Sequence, residues 1–296
     1  MKRILVVGAG DVAGRAIPWL AQRFRVFALA RHREAHGRLR ALGAVPLTGD
    51  LDDRESLCRL GGIADAVLHC APPPRHGLDD PRTKHLLAAL GCGRSLPQRI
   101  VYISTTGVYG DCAGARMDET RPLAPTTERA RRRVAAETRL RAFSARTGVA
   151  LNILRAPGIY AATRLPLERL KRGDPVLRRE EDVFTNHIHA DDLARMVCLA
   201  LFRGGAGRVY NAVDGSEMRM GEYFDLVARH FGLPLAPRAR RAELAERLSP
   251  MALSFLSESR RISGARALRE LRLRLTYPTV EKGLAAAMMN GESSAC

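Results

Sequence analysis

A chain of 296 residues with 46% hydrophobic residues can bury a substantial core, as one large domain or two smaller ones, so intrinsic disorder is excluded as its main state. The formal charge of +17 raises nucleic acid as a partner, but only Lys2, Lys84, Lys171 and Lys282 among the 48 basic residues are lysine, and the arginines are scattered over nearly every predicted helix. A coding bias toward arginine accounts for that scatter, and a nucleic-acid partner is not expected. No apolar run is long enough to span a membrane, and the start MKRILVVGAG reaches glycine too soon for a signal peptide. Six cysteines show neither paired metal-site spacing nor a compact disulfide framework, so the expectation is a cytoplasmic chain with reduced, mostly buried thiols.

In chain order, RILVVGAG reads as a strand buried on both faces that runs into glycine. DVAGRAIPWLAQRF supplies a helix, with Val12, Ala16 and Leu20 at helical spacing, and RVFALA is the second strand. AVPLTGD, AVLHCA, RIVYIS and VALNILR continue the alternation, giving the α/β class: a doubly wound parallel sheet of the dinucleotide-binding Rossmann type. After residue 158 the pattern loosens into charged loops, and HADDLARMVCLALFRGGAGRVYNAV returns one helix and strand to the sheet. The expected organisation is a nucleotide-binding domain of residues 1–158 rejoined by 186–211, a smaller lobe of 159–185 and 212–290, and a disordered tail over 291–296.

Gly8, Gly10 and Ala13 fit G-x-G-x-x-[GA] at the first strand-to-helix turn, followed by Gly14. Gly8 permits the tight turn, Gly10 lets a diphosphate approach the backbone, and a small third residue lets helix and strand pack. The backbone of Asp11 and Val12 then offers the N–H groups and positive dipole end of a helix N-terminus to the phosphates. The second strand ends in FALARHRE, where Arg31 and Arg33 stand and no acid precedes Glu34, which favours the 2′-phosphate of NADP over NAD. NAD remains an alternative. Asp50 and Leu51 could receive the adenine amino group and cover the ring, with a plain turn or helix-cap role for Asp50 equally open. Ala71 and Pro72 end the fourth strand and could flank the cofactor.

The ordered set GAGDVAG, GDLDD, ISTTGVYGD, LRAPGIY and NHIHADDLA resembles the extended short-chain dehydrogenase/reductases, the NAD-dependent epimerase/dehydratase family, over almost the whole chain. The resemblance implies a nucleotide-binding sheet with a smaller C-terminal substrate lobe, and NAD(P)-linked oxidation, reduction, epimerisation or dehydration, commonly of nucleotide-linked sugars. It also implies a Ser or Thr ending the fifth strand, with a Tyr and a Lys four residues apart on the next helix to move and steer the proton. Thr105, four before Tyr109, matches the hydroxyl position. With Glu137 anchoring the family's K-x-x-x-E pattern, the Tyr and Lys positions fall on Arg129 and Arg133, so neither family residue is present. The resemblance also places Pro157 and Gly158 at the nicotinamide end.

Arg129, Arg133, Ala136, Leu140 and Phe143 share one helical stripe, which aims the two arginines at the cleft; Arg131 and Arg132 read as solvated. Arginine stays protonated at neutral pH, so Arg129 and Arg133 can bind anions but cannot act as a base. Tyr109 is then the first candidate for moving a proton, with a packed turn aromatic as its other reading, and Asp111 the second. His187 and His189 with Asp191 and Asp192 are thin support for a metal, and none is expected; one of the two aspartates is expected to cap a helix. Arg155 could anchor its strand end, and Arg260 or Arg261 could reach over the cleft to an anionic substrate, with plain surface helix charge equally open. The leading expectation is an NADP-preferring oxidoreductase or epimerase/dehydratase-like enzyme acting on a small anionic or nucleotide-sugar-like substrate, with a homodimer as an open assembly. The competing one is a cofactor-binding sensor without turnover.

Overall fold

The computed structural model describes residues 2–247, Leu253 and residues 256–292. Seven parallel strands form the central sheet: β1 (Arg3–Val7), β2 (Arg25–Ala30), β3 (Val45–Thr48), β4 (Ala66–His69), β5 (Arg99–Thr105), β6 (Ala150–Ala156) and β7 (Val209–Asn211), in the spatial order β7-β6-β5-β4-β1-β2-β3. The continuous apolar runs have their cause in the two packed faces. Ile4 and Val6 of β1 enter one core cluster and Leu5 and Val7 the other, and Val101 and Ile103 of β5 part in the same way from Ile100 and Tyr102. Helices α1 (Asp11–Ala21), α2 (Ala35–Ala41), α3 (Pro81–Gly91), α4 (Glu128–Thr147) and α5 (Ala190–Arg203) lie between the strands. The strand order reverses direction between β1 and β4, where an open α/β sheet forms its ligand crevice.

Helix α4 is delimited by ordinary capping chemistry. The Thr127 hydroxyl accepts from the Ala130 N–H at its start, and Gly148 ends it in the left-handed conformation, φ 74°. Its middle is pinned by a buried ion pair. Glu137, 1% exposed, receives two hydrogen bonds from Arg155 of β6, at 3.1 and 2.6 Å, and one from the Ser104 hydroxyl of β5 at 2.6 Å. The expected anchoring of the strand end by Arg155 is therefore present, with Glu137 as its partner.

Apart from the two clusters that flank the sheet, a further core cluster includes Tyr160, Leu170, Val176, Phe224, Val227 and Leu284. A parallel pairing of Gly158–Tyr160 with His187–His189 ties it to the end of the sheet. Two expectations need correction. Gly291 and Glu292, assigned to a disordered tail, close the helix Val280–Glu292; residues 293–296 lie outside the described residues. Among the described thiols Cys112 and Cys198 are buried, Cys70 is half-buried, and Cys58 and Cys92 are exposed, so burial is less general than expected; Cys296 is not among the described residues.

Glu137→Ala leaves the Arg155 guanidinium charged, buried and unpaired, and is expected to cost about 3–5 kcal/mol of unfolding free energy in a urea titration. A loss under about 1 kcal/mol would show that water or a neighbour readily replaces the carboxylate.

Candidate active site

The C-terminal ends of β1, β2 and β4 open into a hollow of about 390 Å³ lined by Gly8, Gly10, Arg31, Asp50, Leu51, Ala71 and Pro72. Gly8 has φ 85°, and a side chain there would overlap the backbone of Ala71, so the turn and the end of β4 meet only because Gly8 has none. Gly10 is the opposite case: a Cβ at this position would meet nothing within 4 Å. Gly10 caps α1 without any side-chain hydrogen bond to the first-turn N–H groups. Open space facing an uncapped helix N-terminus suits a phosphate, so the turn fits the diphosphate of a dinucleotide.

The other expected cofactor residues divide. Val12 and Ala13 pack into the core beneath the turn. Asp11 projects outward and pairs with Arg15 at 2.8 Å and with Arg164 at 3.4 Å. Asp50 is a turn residue whose Oδ1 accepts from the Asp52 N–H at 3.0 Å, and it also lines the hollow, so its two readings are compatible. Arg33 is exposed and does not line the hollow; His32, Arg38 and Arg82 do, and none of the three was singled out from the sequence. Arg38 donates to the Ala9 carbonyl at 2.6 Å, bracing the glycine turn from α2. Arg82 grips Asp52 through two hydrogen bonds. Both contacts join segments distant in the chain, which leaves no local pattern to read.

A second cleft of about 480 Å³ lies beyond the ends of β5 and β6. Thr105, Arg129, Arg133, Pro157, Gly158 and Arg260 all line it, as expected, and Arg164 adds a fourth guanidinium opposite one carboxylate, Glu258. The Thr105 oxygen accepts from the Gly107 N–H at 3.3 Å, which leaves its O–H to donate to a ligand. Arg133 donates to the Tyr102 hydroxyl at 3.0 Å and the Ile103 carbonyl at 2.7 Å, which fixes its guanidinium at the cleft floor. Burial lowers the proton affinity of Arg129, and Glu258 opposes that shift. Arg260 pairs with Glu258 at 2.7 Å and donates to the carbonyls of Thr106 and Gly110, whereas Arg261 turns to the Gly114 carbonyl.

Tyr109 is not in the cleft. The turn Thr106–Tyr109 rolls its ring inward, 1% exposed, where its hydroxyl donates to Asn211 at 2.8 Å beneath the Arg155 guanidinium. Burial raises its pKa further, so the packed-aromatic reading holds and the proton-transfer reading is withdrawn. Asp111 is exposed and accepts from the N–H groups of Ala113 and Ser259. Arg132 is also corrected. It is 6% exposed, because the loop carrying Gly77 folds over it and accepts its hydrogen bond at 2.5 Å, while Arg131 is exposed as expected. The cap of α5 is the His189 ring, which accepts from the Asp191 N–H at 3.2 Å, and Asp192 instead holds the N–H groups of Thr276 and Tyr277.

Arg164, Glu258 and Asp214 have no sequence signal that points to the cleft. Asp214 sits beside the His187 backbone and is 7% exposed; burial pushes its pKa up to about 7, against hydrogen bonds from the Ser216 N–H and hydroxyl. His187 lines the cleft, stacked on Tyr223 at 4.3 Å, and burial pulls its pKa down to about 3, so it is a neutral imidazole at physiological pH.

The chain belongs to the NAD dependent epimerase/dehydratase family, whose model matches residues 4–212. Protein YeeZ of Escherichia coli (strain K12) is 28% identical over 190 residues, 63% of this chain, and this chain spans 65% of the length of that relative. A 4-hydroxy-2-methyl-3-oxo-4-farnesyl-3,4-dihydroquinoline-1-oxide ketoreductase of Stigmatella aurantiaca is 26% identical over 255 residues, 78% of this chain and 74% of its own length. A solved structure of a functionally unknown conserved protein from Silicibacter pomeroyi DSS superposes with a TM-score of 0.80 at 29% identity, over 99% of this chain and all of its own.

Two outcomes follow from this geometry. Gly10→Val should leave the unfolding midpoint nearly unchanged, since a Cβ there meets nothing within 4 Å, while abolishing binding of a nicotinamide dinucleotide, whose diphosphate the side chain would displace; retained binding would place the diphosphate elsewhere. Asp214 has a folded pKa above its ordinary value, so its contribution to stability is present at low pH and lost as pH rises from about 4 to about 7. The stability of Asp214→Asn relative to the parent should therefore grow by about 4 kcal/mol over that window in unfolding titrations. A pH-independent difference would contradict the burial of an ionising carboxyl.

Proposed function

We propose that the protein is an NADP(H)-linked oxidoreductase or epimerase/dehydratase-like enzyme acting on an anionic, nucleotide-sugar-like substrate. One observation carries this reading: the glycine-turn hollow and a cleft lined by Arg129, Arg133, Arg164 and Arg260 lie side by side along the same edge of the sheet. In the first hollow, Gly8, Gly10 and the first turn of α1 hold the diphosphate, Asp50 and Leu51 the adenine, and Arg31 the 2′-phosphate. Bound there, the nicotinamide supplies hydride donation or acceptance. Arg133, facing Pro157 and Gly158 across the cleft, holds the nicotinamide ribose.

In the second cleft Thr105 orients the reacting substrate oxygen. Arg129 lies where the family's tyrosine would stand. It cannot shuttle a proton, but a guanidinium beside a developing alkoxide stabilises that charge directly and lets the oxygen exchange its proton with water. Arg260 then anchors a more distant phosphate or carboxylate of the substrate. The ketoreductase named above is consistent with carbonyl reduction on this fold. A second reading, a cofactor-binding sensor without turnover, is favoured by the absence of the Tyr–Lys pair together with the burial of Tyr109.

Arg31→Ala should weaken NADPH by about 10- to 100-fold, the loss of a charge-assisted hydrogen bond, and NADH by less than about twofold. Fluorescence titration of both nucleotides measures this, and equal weakening would remove the 2′-phosphate role. Turnover of carbonyl and nucleotide-sugar substrates separates the two readings: activity lost in Thr105→Ala supports the enzyme, whereas NADPH binding with no turnover across such substrates supports the sensor.

A further inference from the structure

Arg164 lines the substrate cleft but stands at a junction with the glycine turn that no single assignment above accounts for. It follows the strand Gly158–Tyr160, lines the substrate cleft, and reaches back across to the first turn of α1, where its Nη1 pairs with Asp11 Oδ2 at 3.4 Å. Asp11 is an awkward residue for a diphosphate seat. Its carboxylate occupies the positive end of the helix dipole and repels the phosphates that are to lie there.

The surrounding ion pairs differ in how firmly they are held. Arg15 grips Asp11 at 2.8 Å and Asp191 at 2.6 Å, so two carboxylates hold it in place on α1 and α5. Arg164 is held at longer range, and the side chains of Arg164 and Asp11 are 41% and 36% exposed. A partly exposed, long ion pair is weak, and a diphosphate with two charges and several acceptor oxygens competes well for the same guanidinium.

We propose that Arg164 exchanges partners when the dinucleotide binds, leaving Asp11 for the bridging diphosphate, and so draws the segment after Gly158–Tyr160 over the cofactor. This rests on the dinucleotide reading of the Gly8–Gly10 turn. Asp11 then acts as an internal competitor: it stores Arg164 in the empty site, stays paired with Arg15 in the filled one, and lowers apparent cofactor affinity. Because Arg164 also lines the substrate cleft, the exchange changes the rim of that cleft only after the cofactor has arrived, which favours cofactor binding before substrate.

The test uses the full chain and two probes, NADPH and adenosine 2′-monophosphate, which keeps the adenine and 2′-phosphate but has no phosphate at the 5′ position. Arg164→Ala should weaken NADPH about tenfold and leave the monophosphate unchanged, with Arg164→Lys intermediate. Asp11→Asn should tighten NADPH about threefold or more, since the competitor is gone. NADPH affinity unaltered in Arg164→Ala, or weakened rather than tightened in Asp11→Asn, would overturn the exchange. Failure of the unsubstituted protein to bind either probe would instead overturn the dinucleotide reading, and the exchange with it.

Discussion

The ion pair between Glu137 and Arg155 sets how helix α4 lies on the sheet, and the chemistry of the cleft depends on that placement. The carboxylate is gripped by β5 through Ser104 and by β6 through Arg155, both buried. Residues one and two turns earlier on the same helix face are Arg133 and Arg129, so pinning Glu137 brings both guanidinium groups to the cleft. Replacing such a pair with apolar residues is often neutral for stability. Its contribution here is register: a helix rotated by one residue would carry Arg129 and Arg133 away from Thr105.

The second constraint is electrostatic. The cleft gathers four arginines and one carboxylate, and Glu258 is already engaged by Arg260 and by the Thr126 hydroxyl at 2.5 Å. A positive field in a partly water-excluded pocket stabilises anions far better than the same charges do on an open surface. The same arrangement is hostile to a proton shuttle. Guanidinium groups never release their protons, Tyr160 and Tyr223 are pushed above the usual tyrosine range by burial, and His187 is held neutral. The four guanidinium groups make the cleft positive at neutral pH.

Much of the fold was legible because each strand is a short apolar run feeding glycine, and burial on both faces demands that pattern. The positions of the glycine turn, Thr105 and Arg133 at the sheet edge were likewise legible, since each has a fixed place relative to a strand end or helix stripe, whereas Arg260 could not be told from Arg261 or from plain surface charge until the chain folded. Tyr109 was not, because the inward roll of the Thr106–Tyr109 turn depends on Asn211 and Arg155, which arrive from β7 and β6. Arg132 was misread for a similar reason: solvation of a helix face cannot be judged before the loop carrying Gly77 is in place. Arg38, Arg82 and Arg164 make contacts that close only in the folded chain, so their places at the two cavities have no local sequence signal. In a chain this rich in arginine, composition hides the few that matter.

Diffraction from crystals grown with NADPH should show the diphosphate against Gly10, the nicotinamide over Pro157 and Gly158, and the Arg133 guanidinium within hydrogen-bond distance of the ribose hydroxyls. A dinucleotide seated there with Arg133 still turned to Tyr102 and Ile103, out of reach of the ribose, would contradict the role proposed for Arg133.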